Sequence, residues 1–174
     1  MARKCTIYGT LSISGLNSFN KLENITFFES WFLKENFIPL QQAGVLHFIE
    51  EHEDLFPGFS TIWTYGHTEA MMLPVIKYNG SKVVYCADLL PSAAHIPLPY
   101  VMGYDVRPLI TIKEKEAFLK EACEKKHFLF FEHDSVNECC SLEKTDKGIR
   151  PKNYYALSEL PVGSLFWDNF SQLF

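Results

Sequence analysis

Met71-Met-Leu-Pro-Val-Ile-Lys-Tyr-Asn-Gly-Ser-Lys-Val-Val-Tyr-Cys-Ala-Asp88 reads as two β-strands joined by a tight turn and closed by a carboxylate. Asn79-Gly80 tolerates positive φ at both central positions of a two-residue hairpin loop, and the runs Met71–Tyr78 and Lys82–Ala87 flank it. Working outward, Val45–Ile49 and Phe59–Tyr65 read as further strands, separated by the polar loop Glu50–Pro57. On the other side, four prolines (Pro91, Pro97, Pro99, Pro108) make residues 89–110 mostly loop or short helix. Thr111-x-x-Glu114 has the pattern of a capping box opening a helix to about Lys126, with Phe118, Leu119 and Ala122 on its apolar face and the charged run Lys113–Lys126 facing solvent. His127–Glu132 is short and nearly all apolar, as a strand buried on both faces would be. Glu138–Lys144 and Ile149–Leu157 form a last hairpin across Asp146-Lys-Gly148.

Towards the N-terminus the pattern is weaker. Residues 1–25 show no hydrophobic period and read as an atypical lead-in. Thr26-Phe-Phe-Glu29 is a second capping-box pattern; its helix would carry Phe28, Trp31, Phe32 and Glu35 towards Gly44, with Pro39 bending or ending it.

A chain of 174 residues fits one domain with a real core, and 47% hydrophobic residues with 15 Phe argue against disorder. A net charge of −5 leaves no basic footprint for nucleic acid, and no run approaches the ~20 apolar residues of a membrane span. Five cysteines, including the adjacent Cys139 and Cys140, occur without any Cys-x-x-Cys; reduced thiols in a cytoplasmic protein are the simplest account. On a strand, adjacent cysteines point to opposite faces, so both read as core rather than as a pair.

Three strand ends carry groups that bind metals. Tyr65-Gly-His-Thr68 follows one strand, Tyr85-Cys-Ala-Asp88 ends another, and Phe130-Phe-Glu-His-Asp134 ends a third. Zinc takes neutral imidazole nitrogen and carboxylate oxygen at about 2.0–2.2 Å. Consecutive strand ends bring such groups from distant positions to one rim of a sheet. Gly66 would let the backbone turn sharply at His67, and Asp88 after an apolar strand is costly to bury unless a cation neutralises it. Singly, each is as well explained by a structural role; the ordered set is more specific.

In residue type, order and spacing this set, over roughly Phe59 to Arg150, resembles the metallo-β-lactamase superfamily. The resemblance implies an α+β fold, the αβ/βα sandwich, of which this chain would hold an incomplete part: the C-terminal half, with a mixed sheet and flanking helices over residues 26–174. It implies two zinc ions, with His67 on the first, Asp88 bridging and His133 on the second. The activity implied is hydrolysis of an ester, lactone or thioester, and the His-Asp ending leans towards lactonase- and glyoxalase II-like branches. His95 and Tyr104, in the loop after Asp88, would face substrate; hydrogen bonding and aromatic packing are their commoner roles.

The superfamily's His-x-His-x-Asp-His loop does not occur in the chain. Each ion would have about two protein ligands here, where catalytic zinc generally has three. The expectation is therefore a hydrolase that is inactive or incomplete as this chain alone. An N-terminal half supplied separately, or a second copy, would complete it and cover the open sheet face. The alternative is a non-catalytic interaction or remnant domain, with residues 1–44 covering the sheet. A third reading is a single iron or zinc ion held by His67, Asp88 and His133 together.

Overall fold

A computed structural model describes residues 57–78 and 81–160, together with Pro39 and residues 42–44. The lead-in, the helix after Thr26, the strand at Val45–Ile49 and the Asn79-Gly80 turn lie outside the described residues. At Pro39 the backbone is helical, Ala43 N donates to Pro39 O at 2.9 Å, and Gly44 has a φ of 66°.

The strands are β1 (Phe59–Thr64), β2 (Met71–Tyr78), β3 (Ser81–Tyr85), β4 (Phe128–Phe130), β5 (Cys139–Thr145) and β6 (Gly148–Tyr155). They form one sheet in sequence order, antiparallel throughout except where β3 and β4 run parallel. A parallel pair needs a crossover, and the chain makes it through 3-10 turns at Ala87–Leu89 and Ala93–His95 and the helix α1 (Pro108–Glu124). The last hairpin is as expected, with Thr145 opposite Gly148, whose φ of 93° suits a residue lacking Cβ.

Register explains the core. Val75 pairs with Val84, Val84 with Leu129, and Leu129 with Cys140, one buried row across four strands. Against this row pack Phe118, Leu119 and Ala122 of α1, with Leu89, Leu90 and Ile96 of the crossover. The next positions in register point to the opposite face, where Val83, Cys139 and Leu160 are buried and Ile76, Phe128, Phe130 and Tyr155 only partly so. Cys139 and Cys140 thus belong to different clusters, as period-2 geometry requires. In β4 only Leu129 is fully buried; its neighbours are half-covered.

Two expectations for α1 need correction. The helix begins at Pro108, three residues before Thr111, because proline's fixed φ suits the first helical position. Thr111 is therefore inside the helix, and Glu114 makes a tertiary contact instead of a capping box. Nor is the charged run wholly solvated: Lys115 is completely buried.

Candidate metal centre

His67, Asp88 and His133 come together at one edge of the sheet. His67 lies in the loop after β1 and is 8% exposed. Asp88 sits in the 3-10 turn that follows β3, and His133 in the turn after β4, with its backbone N–H on Pro91 O at 3.0 Å. Ala70, three residues after His67, and Ala87, directly before Asp88, have φ of 51° and 42°. Left-handed backbone at a residue bearing Cβ costs about 1–2 kcal/mol, and such strain gathers at sites where side-chain aim matters.

Asp88 divides its carboxylate between the two imidazoles. His67 Nε2 is 3.3 Å from Oδ2, and His133 Nε2 is 3.4 Å from Oδ1. Two ligands on one tetrahedral zinc, each about 2.0–2.1 Å from it, stand about 3.3–3.4 Å apart. Both separations therefore suit a carboxylate bridging two ions with one imidazole on each. Among the described residues no group of three His, Cys, Asp or Glu side chains could hold a metal ion. The donor set fits zinc in type and spacing and falls short in number.

Asp105, which sequence reasoning missed, completes the arrangement. Its side chain is wholly buried, and Oδ1 lies 2.8 Å from His67 Nδ1. A carboxylate there accepts the Nδ1 proton and leaves the Nε2 lone pair for a metal, the usual arrangement behind a metal-bound imidazole. Among the described residues, Asp105 Oδ2 is buried without a hydrogen-bond partner. Gly103-Tyr-Asp105 lies in an aperiodic loop, and nothing in its pattern distinguishes that carboxylate from a turn residue.

Electrostatics follow from this packing. Burial disfavours the His67 imidazolium, but Asp88 and Asp105 together outweigh it and raise the pKa above its ordinary value. Asp88 is held below the usual carboxylate range by its hydrogen bond to His67, against the effect of burial, with His133 adding to it. Asp134 is tied up structurally, accepting from the backbone N–H of Ala93, Val136 and Asn137.

The two tentative substrate contacts differ. Tyr104 is 68% exposed and its ring meets that of His67 edge-on, with centroids 5.8 Å apart. His95 pairs through Nδ1 with Ser92 Oγ at 2.8 Å. A cleft of about 590 Å³ opens beside His133, lined by residues including Ala94, Pro97, Val136 and Tyr154.

The backbone bends at residues 66–68 as expected, though without a positive φ at Gly66. A second reason for glycine is space: a Cβ there would lie 2.3 Å from both N and Oγ1 of Thr111. Glycine lets α1 dock against the His67 loop.

No protein-family model and no curated protein matches the chain. Solved structures do. One is a probable metal-dependent hydrolase from Staphylococcus aureus, 25% identical, with a TM-score of 0.59 over 68% of this chain and 42% of that one. Another is the hydrolase AbOPH of the β-lactamase superfamily, 17% identical, with a TM-score of 0.62 over 71% and 43%. A third is AidC, a dizinc quorum-quenching lactonase, 20% identical, with a TM-score of 0.59 over 87% and 55%. The chain spans about half the length of the structures it matches. Among the described residues, the six-stranded mixed sheet with α1 packed on it is a partial metallo-β-lactamase fold, α+β as expected.

Proposed function

We propose that this chain supplies the His67–Asp88–His133 edge of a two-zinc centre in a hydrolase of ester, lactone or thioester bonds. The observation that carries this reading is the division of Asp88 between two imidazoles at 3.3 and 3.4 Å. The bond type is extended to this chain by analogy with a fold neighbour that is a dizinc lactonase. Bound zinc would supply hydroxide near neutral pH and polarise the scissile carbonyl.

The chain's own residues bind and orient. His67 would offer Nε2 while Asp105 holds Nδ1–H, and Asp88 and His133 Nε2 would be the other ligands this chain supplies. Tyr104 shields the outer edge of His67, and the cleft beside His133 has room for part of a small substrate. His95, with its ring tied to Ser92, is the weaker of the two proposed substrate contacts. The remaining metal ligands would come from a separate N-terminal half or from a second copy, and the chain alone is inactive. Its cysteines suit a reducing cytoplasm.

Zinc stoichiometry by elemental analysis, on the parent chain and on His67→Ala, Asp88→Ala and His133→Ala, tests the reading. More zinc on the parent than on any of the three variants is expected. Retention that none of the three substitutions changes would overturn the assignment and favour a domain that binds partners rather than metal.

A further inference from the structure

The Pro-rich loop after Asp88 and the loop carrying His67 share one support. His95-Ile-Pro-Leu-Pro-Tyr100 has no N–H at positions 97 and 99, so this stretch has few internal donors for its own carbonyls. Lys115 supplies them from α1: Nζ donates to His95 O at 2.8 Å, Pro97 O at 2.9 Å and Tyr100 O at 2.7 Å. The side chain is fully buried, and an ammonium has three N–H donors, so all three are used. Burial pushes its pKa down to about 8, which leaves it charged at neutral pH.

The preceding residue faces the other loop. Glu114 accepts the backbone N–H of Tyr65 through Oε1 at 2.7 Å and that of Gly66 through Oε2 at 3.0 Å. The residues leading into α1 hold the same loop from its carbonyl side, with Arg107 N on Gly66 O at 2.8 Å and Val106 N on His67 O at 3.1 Å. Backbone groups on both sides of the His67 Cα are thus engaged by one segment, 105–114, and its reach depends on the missing Cβ of Gly66.

We infer that Glu114 and Lys115 are positioning residues: Glu114 sets the aim of the His67 ring, and Lys115 fixes the loop that leaves Asp88. This rests on the metal-site reading for its purpose, but the positioning itself is measurable without metal. Successive helical residues point about 100° apart on a 3.6-residue turn, so one turn of α1 braces two separate loops.

Ring nitrogen NMR on the chelator-treated full chain reports His67 directly. In the parent, and in the exposed control Glu116→Gln, His67 should show the Nδ1–H, bare-Nε2 tautomer above its titration range. In Glu114→Gln, which cannot accept two N–H bonds through two carboxylate oxygens, the two ring signals should move towards averaged values. Amide exchange at Tyr65 and Gly66 should accelerate at least tenfold. Unchanged ring signals in Glu114→Gln overturn its positioning role.

For Lys115, a slowly exchanging ammonium resonance at pH 7 in the parent is expected, and its absence overturns the clamp without any variant having to fold. Where Lys115→Met folds, faster exchange at Tyr100 with the parent's His67 tautomer is the expected result, and unchanged Tyr100 exchange counts against the clamp. Zinc that fails to move His67 signals in the parent overturns the metal reading, a failure distinct from either of these.

Discussion

His67 Nδ1 and Asp105 Oδ1 lie 2.8 Å apart in a site where the carboxylate is wholly shielded from solvent. The pair fixes one imidazole tautomer, and it does so from the side away from Asp88. Replacing the charge without changing the shape isolates this effect. Asp105→Asn should weaken zinc binding about 10–100-fold, the usual loss when a ligand's supporting partner is altered. A zinc titration followed on the His67 ring signals measures it, and an unchanged affinity would remove Asp105 from the site.

pH dependence follows from the same cluster. The raised pKa of His67 gives stability that is complete below its ordinary value of 6.5 and is lost as pH rises through the folded value. The lowered pKa of Asp88 gives stability that is complete above 3.8 and is lost as pH falls through the folded value. With chelator present, these two groups should make the melting temperature highest between 3.8 and 6.5. His67→Ala should flatten the alkaline fall, as measured by thermal denaturation across pH.

Zinc affinity should move the opposite way at its alkaline end. Metal binding needs the unprotonated imidazole and releases its proton. Affinity at His67 should therefore climb with pH until the raised His67 pKa is passed. Calorimetry in two buffers of different ionisation enthalpy would count the released proton.

Gly66→Ala places a methyl 2.3 Å from the Thr111 backbone nitrogen, so trimming the Thr111 side chain cannot relieve it. The helix and the loop must part, at a cost of about 1–3 kcal/mol. Denaturant melts should show that loss in Gly66→Ala and again in Gly66→Ala/Thr111→Ala. Recovery in the double variant would contradict the backbone contact.

Thiol chemistry offers a test of the core. Burial pushes Cys139 and Cys140 up to about 12 and Cys86 well above its ordinary value. Cys123 is half-buried on α1. In a Cys5→Ser chain, an aromatic disulfide reagent should label Cys123 first and the other three only at the rate of unfolding.

The strands were legible because each has a strong local signature. Asn79-Gly80 between apolar runs marks β2 and β3, and Asp146-Lys-Gly148 marks β5 and β6. Residue type at three strand ends was enough to propose His67, Asp88 and His133. The helix start was missed because Pro108 outranks a capping pattern at Thr111, whose Glu114 finds its donors on another strand end. Lys115 was misplaced because lysine in a charged run normally faces water, and only the carbonyls of a distant loop make its burial favourable.

Sequence by itself determined the strand pattern, the types of candidate ligand and the lack of a compact histidine-rich loop among the 174 residues. These depend on neighbours within a few positions, where side-chain period and turn chemistry act. The tertiary structure alone decided that Asp88 faces two imidazoles, that Asp105 stands behind His67 and that one helix braces both loops. Those relations join residues 15 to 49 positions apart. No local period encodes them; the parallel crossover brings them together, and burial then forces each polar group to find its partner.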